Sequence, residues 1–263
     1  MNHGFALTAL VLVLFSSPSF ADSCKHKGER EAAVDADGVT AVEIFALAGD
    51  LRIKGSKGAD QVRAFGQACA SREDMLEVMD ITVQRHGDEI RILAEMPDIS
   101  GETNPKWKDR YAIMDLEISL PDTVAVSVHD SSGDMLVTNV SGAKVIDSSG
   151  EIVLENISGE VLIPQDSSGD ISMVEVGPVT IQVDSSGEIF VEDADSVTIA
   201  NDTSGDITLR RIQGDVLIGN DSSGRISVRE VGGNFVVEND TSGGIRYTEV
   251  AGAVSLPDER HME

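Results

Sequence analysis

The sequence predicts an all-β protein: a β-solenoid, or single-stranded β-helix, of coils about 18 residues long with an irregular N-terminal cap. Three observations predict it. The tetrapeptide Asp-(Ser/Thr)-Ser-Gly begins at Asp130, Asp147, Asp166, Asp184, Asp202, Asp221 and Asp240, with Gly-to-Gly spacings of 17, 19, 18, 18, 19 and 19. Within each interval the apolar residues alternate with period two, which marks a strand with one buried face and excludes a helix. A second turn falls once per interval, at Gly142, Gly159, Gly177, Gly214, Gly233 and Gly252, with Asp195 in that place in the fourth unit.

Each unit reads as two short strands and two turns. The first strand carries an apolar pair after the tetrapeptide: Met135/Val137, Ile152/Leu154, Ile171/Met173, Ile189/Val191, Ile207/Leu209, Ile226/Val228 and Ile245/Tyr247. A lone apolar residue follows at Val140, Ile157, Val176, Ala194, Ile212, Val231 and Val250. The second strand carries Val161/Ile163, Val179/Ile181, Val197/Ile199, Val216/Ile218, Phe235/Val237 and Val254/Leu256. One such unit buries too little to offset the cost of ordering its chain. Units therefore stack, at a rise of about 4.8 Å, and share burial and backbone hydrogen bonds. The expected winding is right-handed.

The tetrapeptide is then a corner repeated in every coil. Asp accepts hydrogen bonds from the following backbone, and Gly supplies a positive φ. Stacking also makes two acid rows, the seven Asp from Asp130 to Asp240 and, four residues on, Asp134, Glu151, Asp170, Glu188 and Asp206. Neighbouring charges about 4.8 Å apart repel by about 0.9 kcal/mol in a water-like dielectric. Turn hydrogen bonds offset that, and a weak calcium site along the first row is the alternative. Arg225 and Gly244 interrupt the second row.

Residues 40–129 read as irregular first coils and cap, and residues 130–257 as the regular array. Ala41–Gly55 alternates around a degenerate turn at Ala48-Gly49-Asp50-Leu51. Leu76–Pro97 reads as two longer strands around His86-Gly87-Asp88, and Glu102–Ile113 as a polar loop. Leu116–Pro121 and Val124–Asp134 lead into the array. A cap covers strand edges that an open solenoid end would expose. Residues 22–39 read as a polar N-terminal segment, and residues 258–263 as a polar tail after Pro257.

Residues 1–21 carry no Asp, Glu, Lys or Arg, an apolar run from Phe5 to Phe15, and small residues at Ser19 and Ala21. That is the pattern of a cleaved secretory signal, too short to span a bilayer. The protein is expected to be exported, to the periplasm or the cell surface, and not to span the membrane. Cys24 and Cys69 both lie in the exported part, where a disulfide is favoured. With 46 acidic and 20 basic residues the formal charge is −26, which repels nucleic acid and anionic lipid. Aromatics make up only 4%, too few for a sugar-stacking platform.

The stretch Leu116–Ile163 resembles the bacterial "putative adhesin" domain, a domain of unknown function. Its members run as an I-x-(I/L)-P strand followed by S-G-(D/E)-(I/V) and V-x-G-x-(V/I) strings. Leu116–Pro121 and the Gly-acid-aliphatic steps from Gly133 to Ile207 carry the resemblance, while Arg225 and Gly244 depart from it. The similarity covers about Val42 to Leu256. It implies a single-stranded β-helix in the cell envelope and implies no catalytic residue or cofactor.

Chemistry outside the repeat is sparse. His129-Asp130-Ser131 cannot converge as a triad, because adjacent strand residues point to opposite faces. His26, His86 and His261 show no metal spacing. Glu192, Asp193 and Asp195, beside Asp215 or Glu175, form an acidic patch that reads as a solvated face. Sequons at Asn139, Asn156, Asn201, Asn220 and Asn239 follow from the repeat. The expected function is binding, to an envelope or surface glycan or protein, without catalysis. The alternatives are a polysaccharide-active enzyme and a structural spacer.

Overall fold

The computed structural model describes residues 24–98 and 110–257. The predicted signal, most of the polar loop, Trp107, His261 and the tail lie outside the described residues. The N-terminal part is β1 (His26–Asp35), β2 (Ala41–Ala48), β3 (Leu51–Ser56), β4 (Gln61–Ala70), α1 (Glu73–Glu77), β5 (Asp80–His86), β6 (Glu89–Glu95) and β7 (Ala112–Pro121). The array is β8 (Ala125–Ser132), β9 (Met135–Thr138), β10 (Gly142–Ile146), β11 (Ile152–Ile157), β12 (Val161–Gln165), β13 (Ile171–Asp184), β14 (Ile189–Asp202), β15 (Ile207–Ile212), β16 (Val216–Asp221), β17 (Gly224–Val231), β18 (Phe235–Asp240), β19 (Gly243–Val250) and β20 (Val254–Ser255).

The molecule is a β-solenoid with two walls of stacked parallel strands. One wall runs β7-β3-β9-β11-β13-β14-β15-β17-β19, and the other β6-β2-β8-β10-β12-β13-β14-β16-β18-β20. The long strands β13 and β14 pass through the turn between the walls and belong to both. Register keeps equivalent residues in columns: Ile171, Ile189, Ile207, Ile226 and Ile245 pair in succession. The inward pairs from Met135/Val137 to Phe235/Val237 are buried and fill the space between the walls. Period-two alternation puts them there, since every second side chain faces the same way.

The first coils are stacked out of chain order. β2 lies between β6 and β8, and β3 lies between β7 and β9. The coil formed by residues 41–56 is therefore second in space, and the coil formed by β6 and β7 is first. The chain then crosses from Pro121 to Val124, whose N–H bonds back to Pro121 O at 3.1 Å, and begins the third coil.

The outer edge of that first coil is covered. β4 pairs antiparallel with β7, β1 with β4, and β5 with β6. The segment read as polar thus contains a ten-residue strand, β1, one face of which leans on the cap. Glu73–Glu77, which overlaps the start of the expected strand at Leu76, is instead the short helix α1. Glu73 and Asp74 favour its N-terminal turn, and Arg30 Nη2 donates to Leu76 O at 2.8 Å at its end. A disulfide joins Cys24 to Cys69, with Cα atoms 5.8 Å apart, tying the start of β1 to the end of β4. The other end of the solenoid is open among the described residues. Tyr247 is 45% exposed, and Val254 and Leu256 are each 37% exposed.

Candidate functional site

The corner is the most repeated piece of chemistry in the molecule. Its glycines, Gly133 to Gly243, all have φ between +124° and +144°. Each also packs against the glycine of the preceding coil: a Cβ on Gly205 would collide with Gly187 O. The third residue of the tetrapeptide, a serine, donates its hydroxyl to a carbonyl one coil back. Ser149 Oγ reaches Ser131 O at 3.1 Å, Ser204 Oγ reaches Ser185 O at 3.1 Å, and Ser223 Oγ reaches Thr203 O at 3.2 Å. In the second acid row each Asp accepts from the next coil's N–H: Asp134 Oδ1 from Glu151 at 3.1 Å, Asp170 Oδ1 from Glu188 at 2.8 Å, and Asp206 Oδ1 from Arg225 at 2.8 Å. That row is a seam between coils, and it continues into the cap through Asp50 and Asp115.

The first acid row differs from the expectation. Its carboxylates are not in water: Asp130 is 6% exposed and Asp147, Asp166, Asp184, Asp202 and Asp221 are 0–2% exposed. The reason lies in the strand. Asp130 continues the inward alternation of Val126 and Val128, and Asp147 continues that of Val145. From β12 onward one extra residue is inserted before the Asp, beginning with Pro164, since Lys144 pairs with Leu162 but Ile146 with Gln165, and the acid stays inside. Neither carboxyl oxygen of Asp130, Asp147, Asp184, Asp202 or Asp221 has a partner of good hydrogen-bond geometry, although the N–H groups of the next two turn residues face each carboxyl. Asp166 accepts from the Ser167 N–H at 2.8 Å. Burial, with repulsion from neighbouring acids, raises Asp130, Asp166 and Asp202 to about 7. Burial raises Asp184 and Asp221 to about 6, and also raises Asp147 and Asp240. Neighbouring backbone N–H groups pull the other way and lose.

The calcium alternative needs convergent oxygens. Among the described residues no group of three or more His, Cys, Asp or Glu side chains is placed to hold a metal. The acids stand in single file.

A second column runs along the opposite corner, where the wall strands end. Asn139, Asn156, Glu175, Asp193, Arg211, Glu230 and Glu249 all have φ between +53° and +59°. Each is skipped by the strand pairing, as Asn156 is between Glu155↔Val174 and Ile157↔Val176, so each side chain is thrown outward. Sequence reasoning missed this column, because positive φ is ordinarily signalled by Gly or Asn and only the first two are Asn. The read acidic patch lies here. Arg211 binds Asp193 through two contacts of 2.7 Å and Glu192 at 2.8 Å. That pairing lowers the Asp193 pKa and raises that of Arg211. Arg229 bridges Glu230 at 2.9 Å. The patch is thus a mixed-charge ridge rather than a purely acidic face.

His129 stacks on Phe45 at 4.7 Å and lies 3.7 Å from Glu43, on the outside, while Asp130 is inside. His129, Asp130 and Ser131 do not converge. Asn201, Asn220 and Asn239 form a ladder of side-chain hydrogen bonds of 3.0 Å per step. No helix among the described residues is long and apolar enough to cross a membrane.

No family model and no curated protein matches the chain. Among solved structures it is similar to a "putative cell adhesion protein" from Clostridium sporogenes, 13% identical, covering 88% of this chain and 99% of that one at TM-score 0.39. A "putative adhesin" from Bacteroides fragilis is 14% identical, covering 87% and 97% at TM-score 0.42. A "Putative lipid binding protein" from Parabacteroides distasonis is 14% identical, covering 88% and 97% at TM-score 0.39.

Proposed function

We propose that this is an exported, non-catalytic solenoid that binds an envelope or surface partner, glycan or protein, through the mixed-charge ridge. The observation that carries the reading is the left-handed column. A non-Gly residue in that conformation costs of order 1 kcal/mol, and Asn bears it more easily than Glu or Arg. From Glu175 to Glu249 the chain keeps charged side chains there, one per coil, at a regular rise. Strain of this kind, repeated in register on an outward corner, has a reason in what the side chains meet. The segment 1–21 supports export, and the two even walls suit a long contact rather than an enclosed pocket.

The test is quantitative binding of the purified protein to isolated envelope polysaccharide, envelope protein and whole cells. The variant Glu175→Asn/Asp193→Asn/Arg211→Asn puts Asn, which tolerates positive φ, at three consecutive positions and removes the charge from the middle of the ridge. Binding at least tenfold weaker with an unchanged fold supports the reading, and unchanged binding defeats it. Release of reducing ends from acidic or neutral polysaccharides would replace it with the enzymatic alternative. Fractionation of native cells decides the location.

A further inference from the structure

The buried Asp row remains without a purpose in that reading. A corner needs an acceptor, which Asn or Ser would supply without charge. The chain instead places Asp at the same position in seven successive coils, buried in six of them and half-buried at Asp240 in the last. They stack in register, with Asp166, Asp184, Asp202, Asp221 and Asp240 paired coil to coil. Ten carboxyl oxygens of five of these residues have no partner of good geometry, and the turn N–H groups that face them do not offset their burial.

The groups facing the column do not neutralise it. Along its axis each acid meets only other acids. From the neighbouring seam Asp50 acts on Asp130, Asp170 on Asp184 and Asp206 on Asp221, all with the same sign. His129 points away onto Phe45 and Glu43, and Arg225 is engaged by Asp206 at 3.4 Å. No Lys, Arg or His contributes to the titration of any of the seven. Buried like charges at strand spacing cannot all ionise, and no metal-sized cluster is present among the described residues to compensate them.

We propose that the column binds protons: the stacked Asp carboxyls share a set of protons taken from solvent, so that the array is tightened by acid and loosened by base. The upward pKa shifts agree in sign. A carboxyl whose folded pKa lies above its unfolded value near 4 keeps its proton longer in the folded state. Its contribution to stability is complete below about pH 4 and is lost as pH rises through about 6 to about 7. This is opposite to the ordinary ion-paired carboxylate, whose contribution is lost on acidification.

The experiment measures the melting temperature of the whole protein from about pH 5 to about pH 8.5 in high salt, which suppresses general repulsion. A fall of about 10 °C or more is expected. Asp166→Asn/Asp184→Asn/Asp202→Asn should cut the fall by about half and raise the melting temperature at the alkaline end. The exposed control Glu160→Gln/Asp195→Asn/Glu238→Gln removes as many charges and should leave the fall unchanged. Infrared spectra of the unmutated protein give an independent reading, free of any folding defect in a variant. A carboxylic-acid C=O band should be present near neutral pH in the folded state, shift on 13C-aspartate labelling and vanish on unfolding. Equal slopes in column and control variants, or no acid band, overturn the proposal. So does a rise in melting temperature with millimolar calcium well above matched NaCl, which would make the column a cation site.

Discussion

The two ends of the solenoid are built by opposite means. At the N-terminal end the chain goes out of order to close itself: β6 and β7 lie outside β2 and β3, and β1, β4 and β5 turn antiparallel over them. A disulfide holds the cover. At the C-terminal end the same columns simply run out, and Ile245, Tyr247, Val250 and Val254 lose the cover their equivalents have. Parallel stacking extends a core but never ends one, because the last coil always presents unpaired backbone and a half-covered apolar face. Ending it requires strands in another direction, and only the N-terminal region supplies them among the described residues.

The largest expected effect separates the array from the cap by one substitution made in each. Gly205→Ala puts a methyl against Gly187 O and should destabilise by more than about 4 kcal/mol, with Gly205→Val worse. Gly87→Ala, at the tip of the β5–β6 hairpin with φ +69° and nothing within 4 Å of a Cβ, should cost only about 1 kcal/mol. Thr208→Val, facing outward on β15, should be nearly silent. Urea denaturation of the four proteins makes the check, and similar losses at Gly205 and Gly87 would refute the stacked corner.

Next comes the covered end itself. Cys24→Ser/Cys69→Ser, or reduction, should remove about 4 kcal/mol in the chain-entropy model for a separation of 45 residues. Amide exchange should then rise in β1 and β4 before it rises in β13. Labelling of the unfolded, unreduced protein should find no free thiol. A smaller contrast runs along one column: Ile207→Ala in mid-array should cost about 3 kcal/mol, and Ile245→Ala in the half-covered last coil about 1 kcal/mol. Equal costs would mean that something covers the open end.

What could be read from the sequence follows the same division. The array was legible because stacking forces its columns into phase, so corner, inward pairs and second turn recur at fixed distances, and even the degenerate turn at Gly49 falls under Gly133. The cap was only partly legible. β1 carries charge on both faces, with Glu29-Arg30-Glu31 in succession, and has no repeat to announce it, and the order β6–β2–β8 depends on pairings between distant segments. The inward placement of the Asp row was available in Val126-Ser127-Val128-His129-Asp130 and was obscured by the bulge residue from Pro164 onward. The left-handed column had no signal at all in Glu, Asp or Arg.

That column supplies the smallest and most discriminating effect. Coils at the cap end already use Asn139 and Asn156 at the left-handed position, whereas the later coils use charged residues. If the position served only the backbone, the later coils would gain by copying the earlier ones. Glu175→Asn should therefore stabilise the protein by about 0.5–1 kcal/mol, and Asn156→Glu should destabilise it by a similar amount. Arg211→Asn is the harder case, since it gives up contacts to Asp193 and Glu192 as well as strain. Exposed ion pairs contribute little, so the expected net change there is near zero. Thermal melts of the three single variants, read against partner binding, divide the possibilities. A more stable Glu175→Asn protein that binds less well has exchanged function for stability, as strained functional positions do. A more stable protein that binds as before would mean that the ridge is only a place where the chain turns.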